Sequence, residues 1–445
     1  MGKFIGYLKF LICAVVCKLA SAVGALLRGG TDLPGRIALK ICPRALRYIK
    51  FNGKVICVTG SNGKTTTSNL IAHVLRENDF RVLNNEKGSN MKTGIASVLL
   101  AHCTLAGKIR YDYVILEVDE CYARFIFEDI TPDYFVVLNL LRDQVVRNGN
   151  PDLVFEKIAT AVSECSDVTL ILNANEPISL NLTTMGRKNI FFGMAETSRS
   201  TKSCVSGTND CKICPQCFSP LEFKFFHYNH LGEFACTGCG YKTPAPDFLA
   251  SDCDFKNKTL KINGEEVRVT FDTTFNFFNT VAAAAAVCSA SELTIEQFAN
   301  GAKSFDVARD RLDKIMFEGR KCTLMMTKQN AASLDQSISY VLEQEGEKSV
   351  VLFVNNVLYL DYKDISWLYD VAFNRLADDC AKILCTGNRA LDAAVCLKSF
   401  GLGDKLIIET DIKKTKEAFR KTSGDIYILA ASAFGHEGRI LDELK

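Results

Sequence analysis

The sequence predicts an α/β protein with two parallel-sheet units in series, the first interrupted by an insertion. Three observations lead there. Strand and helix patterns alternate from Lys54 to about Asn173, and the alternation resumes from about Arg320 to the end. Between them, residues 196–250 are rich in Ser, Thr, Cys and aromatics with little helical period. Strands separated by helices pair in parallel, because the crossover helix carries the chain back to the same end of the sheet. A chain of 445 residues suggests about three domains, and 48 % apolar residues suffice for several cores. The net charge of +2 sets up no global field for nucleic acid or membrane.

From the start of the chain, Phe4 to Leu27 is apolar but interrupted by Lys9 and Lys18. The uninterrupted stretch around Phe10–Cys17 is too short to span a bilayer, and the lack of a clear small-residue cleavage site argues against a signal peptide. An amphipathic helix packed on its own domain is expected, with a membrane-surface helix as the alternative. The expected division is an N-terminal helical segment at 1–45, a central unit at 46–305 and a C-terminal unit at 306–445. Most of the nineteen cysteines stand singly in apolar runs, as Cys57, Cys322 and Cys385 do, where cysteine acts as a small hydrophobe.

The strand Val55–Val58 runs into Gly60-Ser61-Asn62-Gly63-Lys64-Thr65-Thr66, and a helix is expected over Thr66–Glu77. This is the pattern of a phosphate-binding loop. The glycines let backbone N–H groups turn toward an anion, Lys64 supplies charge for the β- and γ-phosphates, and the Thr65 hydroxyl is offered to Mg²⁺. The phosphates would sit at a helix N-terminus. The usual loop has a further glycine with four residues between it and the Gly-Lys pair; here Val58 stands there. Such a loop implies a bound nucleotide and a reducing, cytoplasmic setting in which disulfides are rare.

Further strands are expected at Arg81–Leu83, Tyr113–Val118, Phe135–Asn139 and Thr169–Leu172, and helices at Gly94–Ala101 and Pro151–Glu164. Tyr113–Val118 leads into Asp119-Glu120. Carboxylates at the carboxyl end of a parallel strand lie beside the ligand crevice, and Mg²⁺ on a nucleotide takes one or two of them. Glu117 is the first candidate, ahead of Asp119 and Glu120. The run Leu138 to Gln144 should line the same edge.

Cys214-Pro-Gln-Cys217 and Cys236-Thr-Gly-Cys239 are two Cys-x-x-Cys knuckles with the spacing of a four-cysteine zinc ribbon. The segment between is too small to hold a core unaided, so Zn²⁺ would supply folding energy in a closed, structural site. Cys204 and Cys211 are nearby spares. No dense basic stripe marks the ribbon as a nucleic-acid binder. Strands resume at Thr259–Phe271, the Ala-rich helix Asn279–Ser289 follows, and the last unit has strands at Val350–Val354, Lys382–Cys385, Lys405–Ile408 and Ile426–Ala430.

These residues resemble the Mur ligases. The phosphate loop, Leu116-Glu117-Val118-Asp119-Glu120, Asn139-Leu140-Leu141-Arg142-Asp143-Gln144 and Phe275-Asn276-Phe277-Phe278-Asn279 occur in that family's order. The inserted cysteine ribbon, Thr31 to Gly35 and Lys363 to Asp370 narrow the resemblance to its MurT branch, the synthetase subunits of lipid II isoglutaminyl synthases. The resemblance implies a Mur-ligase-like central ATPase domain with a Rossmann-like C-terminal domain. It implies ATP-dependent amidation of the D-glutamate α-carboxylate of lipid II, through an acyl phosphate. Ammonia would come from a GatD-type glutaminase subunit bound to the C-terminal domain. By the same resemblance Asn276 and Asn279 flank the adenine, Arg311 reaches the phosphates, and Asp364 orients the partner's catalytic histidine.

The chain departs from the family pattern in several places. Thr273 or Thr274 replaces a glycine before Phe275-Asn276. Val145 to Asn150 replaces an acidic stretch. Lys328-Gln329-Asn330-Ala331-Ala332 stands for Lys-Asn-Pro-x-Gly, and Asp310-Arg311 for Gly-Arg. Two other functions compete: an amino-acid ligase of the Mur or folylpolyglutamate synthetase kind with no glutaminase, and a non-catalytic nucleotide-binding scaffold.

Overall fold

The computed structural model describes residues 2–26, 32–86, 89–143, 145–306, 312–355 and 364–431. The first part of the chain contains helices α1 (Gly2–Leu26) and α2 (Leu33–Ile41), strand β1 (Lys54–Thr59), helix α3 (Lys64–Glu77), strand β2 (Val82–Asn84) and helix α4 (Lys92–His102). Strands β3 (Tyr113–Glu117) and β4 (Tyr134–Val137), helix α5 (Pro151–Ser163), and strands β5 (Thr169–Asn173) and β6 (Lys188–Met194) follow. The insertion carries the hairpin β7 (Leu221–Tyr228) and β8 (Leu231–Cys236). Then come β9 (Phe248–Asp254), β10 (Thr259–Ile262), β11 (Glu265–Arg268), α6 (Thr274–Ala290) and α7 (Ile295–Ala302).

Nine strands form one sheet in the order β11-β10-β9-β6-β5-β4-β1-β3-β2. It is parallel from β2 to β9 and ends in antiparallel β10 and β11. In β1 every residue after Lys54 is buried, as expected of a central parallel strand covered on both faces. On one face lie α3 and α6. Ala282 to Ala286 of α6 are all fully buried, and such small side chains let a helix lie close to its neighbours. The other face carries α4, α5 and the N-terminal helices.

Helices α1 and α2 share this core rather than standing apart. Phe10, Cys13, Ala14 and Cys17 are fully buried, and the Cys13 and Cys17 thiols donate to Ala38 O and Ser97 O. At Gly35 a Cβ would lie 1.9 Å from Thr93 O, so α2 and α4 are in backbone contact. The expectation of an amphipathic α1 needs correction, because its outward face is also apolar: Ile5, Leu8, Ile12, Val15 and Leu19 are exposed. Among the described residues no helix is long and apolar enough to cross a membrane.

The second sheet holds β12 (Leu312–Phe317), β13 (Arg320–Thr327), β14 (Lys348–Val354), β15 (Ile383–Thr386), β16 (Leu406–Glu409) and β17 (Asp425–Ala431), with helices α8 (Ala331–Leu342) and α9 (Ala390–Ser399). Its order is β12-β13-β17-β14-β15-β16, parallel except for the β12–β13 hairpin. The expected strand Thr259–Phe271 is instead the hairpin β10–β11, turned by Asn263 and Gly264 at positive φ. The helix expected from Asn279 starts five residues earlier, at Thr274.

Candidate nucleotide site and metal centre

Strand β1 ends at Thr59, and the loop Gly60–Gly63 delivers the chain into α3, which starts at Lys64. Gly60 has φ +140° and Gly63 φ +91°, in the region that favours glycine. Both are also hemmed in. A Cβ on Gly60 would lie 2.9 Å from Leu138 Cβ, and one on Gly63 2.0 Å from Asn279 Oδ1. Val58, at the place of the usual first glycine, lies inside β1 paired with Glu117 and Val136. The loop therefore begins after it.

The end of β4 holds the loop in shape. Asn62 N donates to Asn139 Oδ1 at 3.0 Å, Asn139 Nδ2 donates to Asn62 O at 3.0 Å, and Ser61 N donates to Asn139 O at 2.9 Å. Ser61 Oγ donates to Leu141 O and accepts from Leu141 N. These bonds fix the loop backbone.

Lys64 is buried. Its Nζ donates to Gly60 O at 2.7 Å and to Glu120 Oε1 at 3.0 Å. Burial alone would lower its pKa, but the carboxylates of Glu120, Glu117, Asp119 and Asp143 outweigh it and hold the ammonium above its ordinary range. Thr65 and Thr66 occupy the first turn of α3, both partly buried.

The three strand-end carboxylates separate into different roles. Glu120 pairs with Lys64, and Asp119 Oδ1 accepts from Cys121 N at 3.0 Å. Glu117 Oε1 accepts from Asn90 Nδ2 at 2.9 Å, while its backbone is clamped by the Asn85 side chain. Glu117 Oε2 is buried with no hydrogen-bond partner among the described residues, and so is Thr67 Oγ1. An orphaned buried carboxylate oxygen beside a phosphate loop fits a Mg²⁺ ligand, since buried polar atoms are otherwise satisfied.

Asn276 and Asn279 lie on the first turns of α6, with Asn279 Nδ2 donating to Asn276 Oδ1 at 3.3 Å. Asn279 lies against the loop at Gly63. The threonine found in place of a family glycine is explained locally. Thr273 is extended at φ −98°, so no glycine is needed, and its Oγ1 accepts from Asn276 Nδ2 at 2.7 Å. Asn150, where an acidic residue was expected, caps α5 by accepting from Leu153 N. Arg311 lies outside the described residues, as do Gln144, Asp310, Lys363 and Thr31.

Sequence reasoning missed the second sheet's approach to the loop. Lys328 Nζ donates to Ser61 O at 2.5 Å, and Asn330 Nδ2 and Ser333 Oγ lie 3.4 and 3.3 Å from Asn62 Oδ1. Gln329 instead turns to Asn355 O and Ala431 O at its own sheet's edge. Two further links were also missed. Arg142 reaches Asp210 of the insertion at 2.5 Å and Asp370 of the C-terminal unit at 3.2 Å. Buried Asp335 on α8 accepts from Ala372 N at 2.8 Å and Gly207 N at 3.2 Å. Burial pushes the Asp335 carboxyl up to about 6, against the pull of those two N–H groups.

Asp364 is exposed, and its carboxylate is fixed by Ser366, which donates from N at 2.9 Å and from Oγ at 3.0 Å. It precedes the 3₁₀ turn Ser366–Asp370, whose Leu368 is buried and whose Asp370 meets Arg142.

In the insertion, Cys214, Cys217, Cys236 and Cys239 bring their sulfurs within 4.8 Å of one another. Cys214 and Cys239 are 3.8 Å apart, and Cys217 and Cys236 3.3 Å. A tetrahedron with Zn–S of about 2.3 Å has edges of about 3.8 Å, so the donor set fits a structural metal. Gln216 N and Gly238 N point at Cys214 Sγ and Cys236 Sγ, the arrangement that stabilises thiolates on a tight turn. The spare Cys204 and Cys211 lie outside this cluster.

The Mur ligase middle domain family matches residues 58–237, and the MurT ligase C-terminal family matches residues 327–433. The chain is 31 % identical over 402 residues to the lipid II isoglutaminyl synthase (glutamine-hydrolyzing) subunit MurT of Staphylococcus aureus (strain N315), covering 89 % of this chain and 88 % of that protein. It is 29 % identical over 391 residues to the same subunit of Streptococcus pneumoniae (strain ATCC BAA-255 / R6), covering 86 % and 85 %. Its fold is similar to that of a pseudomurein peptide ligase type C from Methanothermus fervidus, with a TM-score of 0.68 at 18 % identity over 91 % of this chain and 81 % of that one. Similarity of this degree along most of both chains is that of one family, and the chain belongs to the MurT family of Mur-type ligases.

Proposed function

We propose that this chain is the synthetase subunit of a lipid II isoglutaminyl synthase. The observation that carries the reading is the 31 % identity to a MurT subunit along 89 % of the chain. The loop, its lysine and the orphaned Glu117 oxygen support an ATP site built for phosphoryl transfer.

The D-glutamate α-carboxylate is a poor electrophile. Its oxygen would take the γ-phosphoryl group of ATP, releasing ADP and leaving an acyl phosphate. Ammonia would then attack the carbonyl carbon, the C–O bond to phosphate would break, and phosphate and a proton would leave. Loop N–H groups and Lys64 would offset charge that develops on the transferring phosphoryl. Glu120 now holds Lys64, and incoming phosphates would compete for it. Mg²⁺, held by Thr65 and Glu117, would neutralise phosphate charge when bound. Asn276 and Asn279 would flank the adenine, and Arg311 would reach the phosphates.

Zn²⁺ would be held by Cys214, Cys217, Cys236 and Cys239 as a structural ion. A GatD-type glutaminase would dock on the C-terminal unit, where Asp364, exposed and held by Ser366, would orient the partner's histidine. Lipid II is membrane-anchored, so the chain would work at the cytoplasmic face of the membrane.

The test is mass spectrometry of purified lipid II incubated with the chain, ATP, Mg²⁺ and ammonium. Replacement of one carboxyl by an amide supports the reading. Addition of an amino-acid mass would favour a Mur-like ligase, and no product without ATP hydrolysis would favour a scaffold. Asp364→Asn should lower glutamine-dependent amidation by up to about 10⁴-fold and leave ammonium-dependent amidation intact; equal losses would contradict its role.

A further inference from the structure

The outward face of α1 is built in a way that the catalytic reading does not use. Ile5, Leu8, Ile12, Val15 and Leu19 recur at alternating steps of three and four and are 43–64 % exposed. At about 100° per residue, this stripe lies opposite the buried stripe of Phe10, Cys13, Ala14 and Cys17. Exposed Lys9 falls on one flank, and Lys18, whose Nζ donates to Ala101 O at 2.6 Å, on the other. A monomeric soluble protein does not ordinarily display a contiguous apolar stripe of this length.

The charge around it is equally uneven. Residues 1–50 carry nine Lys or Arg against one acidic residue, Asp32, for a net +8. The whole chain is +2, which leaves −6 for the rest. Helix α2 continues the pattern: Leu33 and Ile37 are exposed, flanked by exposed Arg36 and Lys40. Both helices cover α4 with their inner faces, so their outer faces lie on the same side of the molecule.

We infer that the outer face of α1 and α2 is a membrane-docking surface for anionic lipid, with the α1 stripe entering the headgroup boundary and the flanking cations meeting lipid phosphates. An apolar stripe edged by lysines is how a helix lies in a bilayer interface, with long cationic side chains reaching up to the headgroups. Charge complementarity selects this occupant. A second copy would set the same exposed Lys9, Arg36 and Lys40 against their own kind, whereas a phosphatidylglycerol surface is of opposite sign.

The layer is also joined to the catalytic side. Asp32, just before α2, accepts from Ser89 Oγ and from Thr93 Oγ1, the latter at 3.1 Å. Between those residues, Asn90 holds Glu117. A chain docked this way keeps its carboxylate edge close to a lipid-anchored substrate. The docking stands on the surface alone; only its catalytic benefit rests on the lipid II reading.

The experiment is co-sedimentation of the full chain with phosphatidylglycerol vesicles and with phosphatidylcholine vesicles, alongside sedimentation equilibrium without lipid. Binding to phosphatidylglycerol is expected to be stronger and to weaken with salt. Ile12→Gln with Leu19→Gln should reduce it by about tenfold or more, and Lys9→Gln by about fivefold. Amidation of a lipid-free muropeptide should be unchanged in these variants, which shows them folded. No binding of the wild type to phosphatidylglycerol, or equal binding by the Gln variant, would overturn the proposal. So would a self-association that the Gln variant loses, since a second copy would then cover the face. Vesicle binding without any lipid II amidation would keep the docking and reject the enzymatic reading.

Discussion

Lys64 and Glu120 form a buried pair whose members depend on each other. Removing the lysine alone leaves Glu120 buried without its cation, at about 3–5 kcal/mol, so turnover must be separated from stability. Lys64→Met together with Glu120→Gln should fold normally yet lose at least about 10²-fold in amidation; retained turnover would take Lys64 out of the mechanism. Asp335 gives a test by pH. Its carboxyl rises from 3.8 to about 6 through burial, so the folded state binds its proton more tightly than the unfolded chain. Its contribution therefore favours folding below pH 4 and is lost as pH rises toward 6, by roughly 3 kcal/mol. Denaturant unfolding of wild type and Asp335→Asn should show the wild type gaining on the variant as pH falls from 6 to 4. A constant difference would contradict this. At this scale the positive-φ turns at Gly60 and Gly63 were legible, because the loop pattern restricts residue type there. The split of Glu117, Asp119 and Glu120 into separate partners was not legible, because it depends on Asn90 and Lys64 meeting them in space.

The insertion works as a strut between the two sheets. Its Asp210 and Gly207 meet Arg142, Asp335 and the segment around Asp370 and Ala372, and a Cβ on Gly207 would lie 2.0 Å from Asp370 O. Arg142 follows the strand that shapes the phosphate loop, while Asp370 ends the turn that follows Asp364. Arg142→Ala leaves Asp210 buried and uncompensated, so the strut should loosen. Glutamine-dependent amidation should fall several-fold more than ammonium-dependent amidation, with partial rescue by Arg142→Lys; parallel losses would show no coupling. Cys214→Ser should abolish bound zinc and leave the β7–β8 hairpin open to proteolysis, as metal analysis and limited digestion would show; unchanged metal content would mean other ligands. The ribbon was readable from the spacing of its knuckles, which are local. The strut was not, because Gly207 and Asp335 are 128 positions apart.

The whole molecule joins a nucleotide loop on one sheet to a second sheet that reaches it through Lys328 and Asn330. The alternation of strand and helix made both sheets legible, since period and crossover direction follow from local pattern. Their mutual approach was not, because Lys328 and Ser61 are 267 positions apart. The outer face of α1 was obscured for a different reason: a helix apolar on two sides has no single hydrophobic stripe for periodicity to find. The most direct test of the account is to supply glutamine with an isotopically labelled amide nitrogen to the chain, a GatD-type glutaminase, ATP, Mg²⁺ and lipid II. The account predicts label in the D-isoglutamine amide only when both subunits and ATP are present. Unlabelled lipid II under those conditions, or labelled product without this chain, would contradict it.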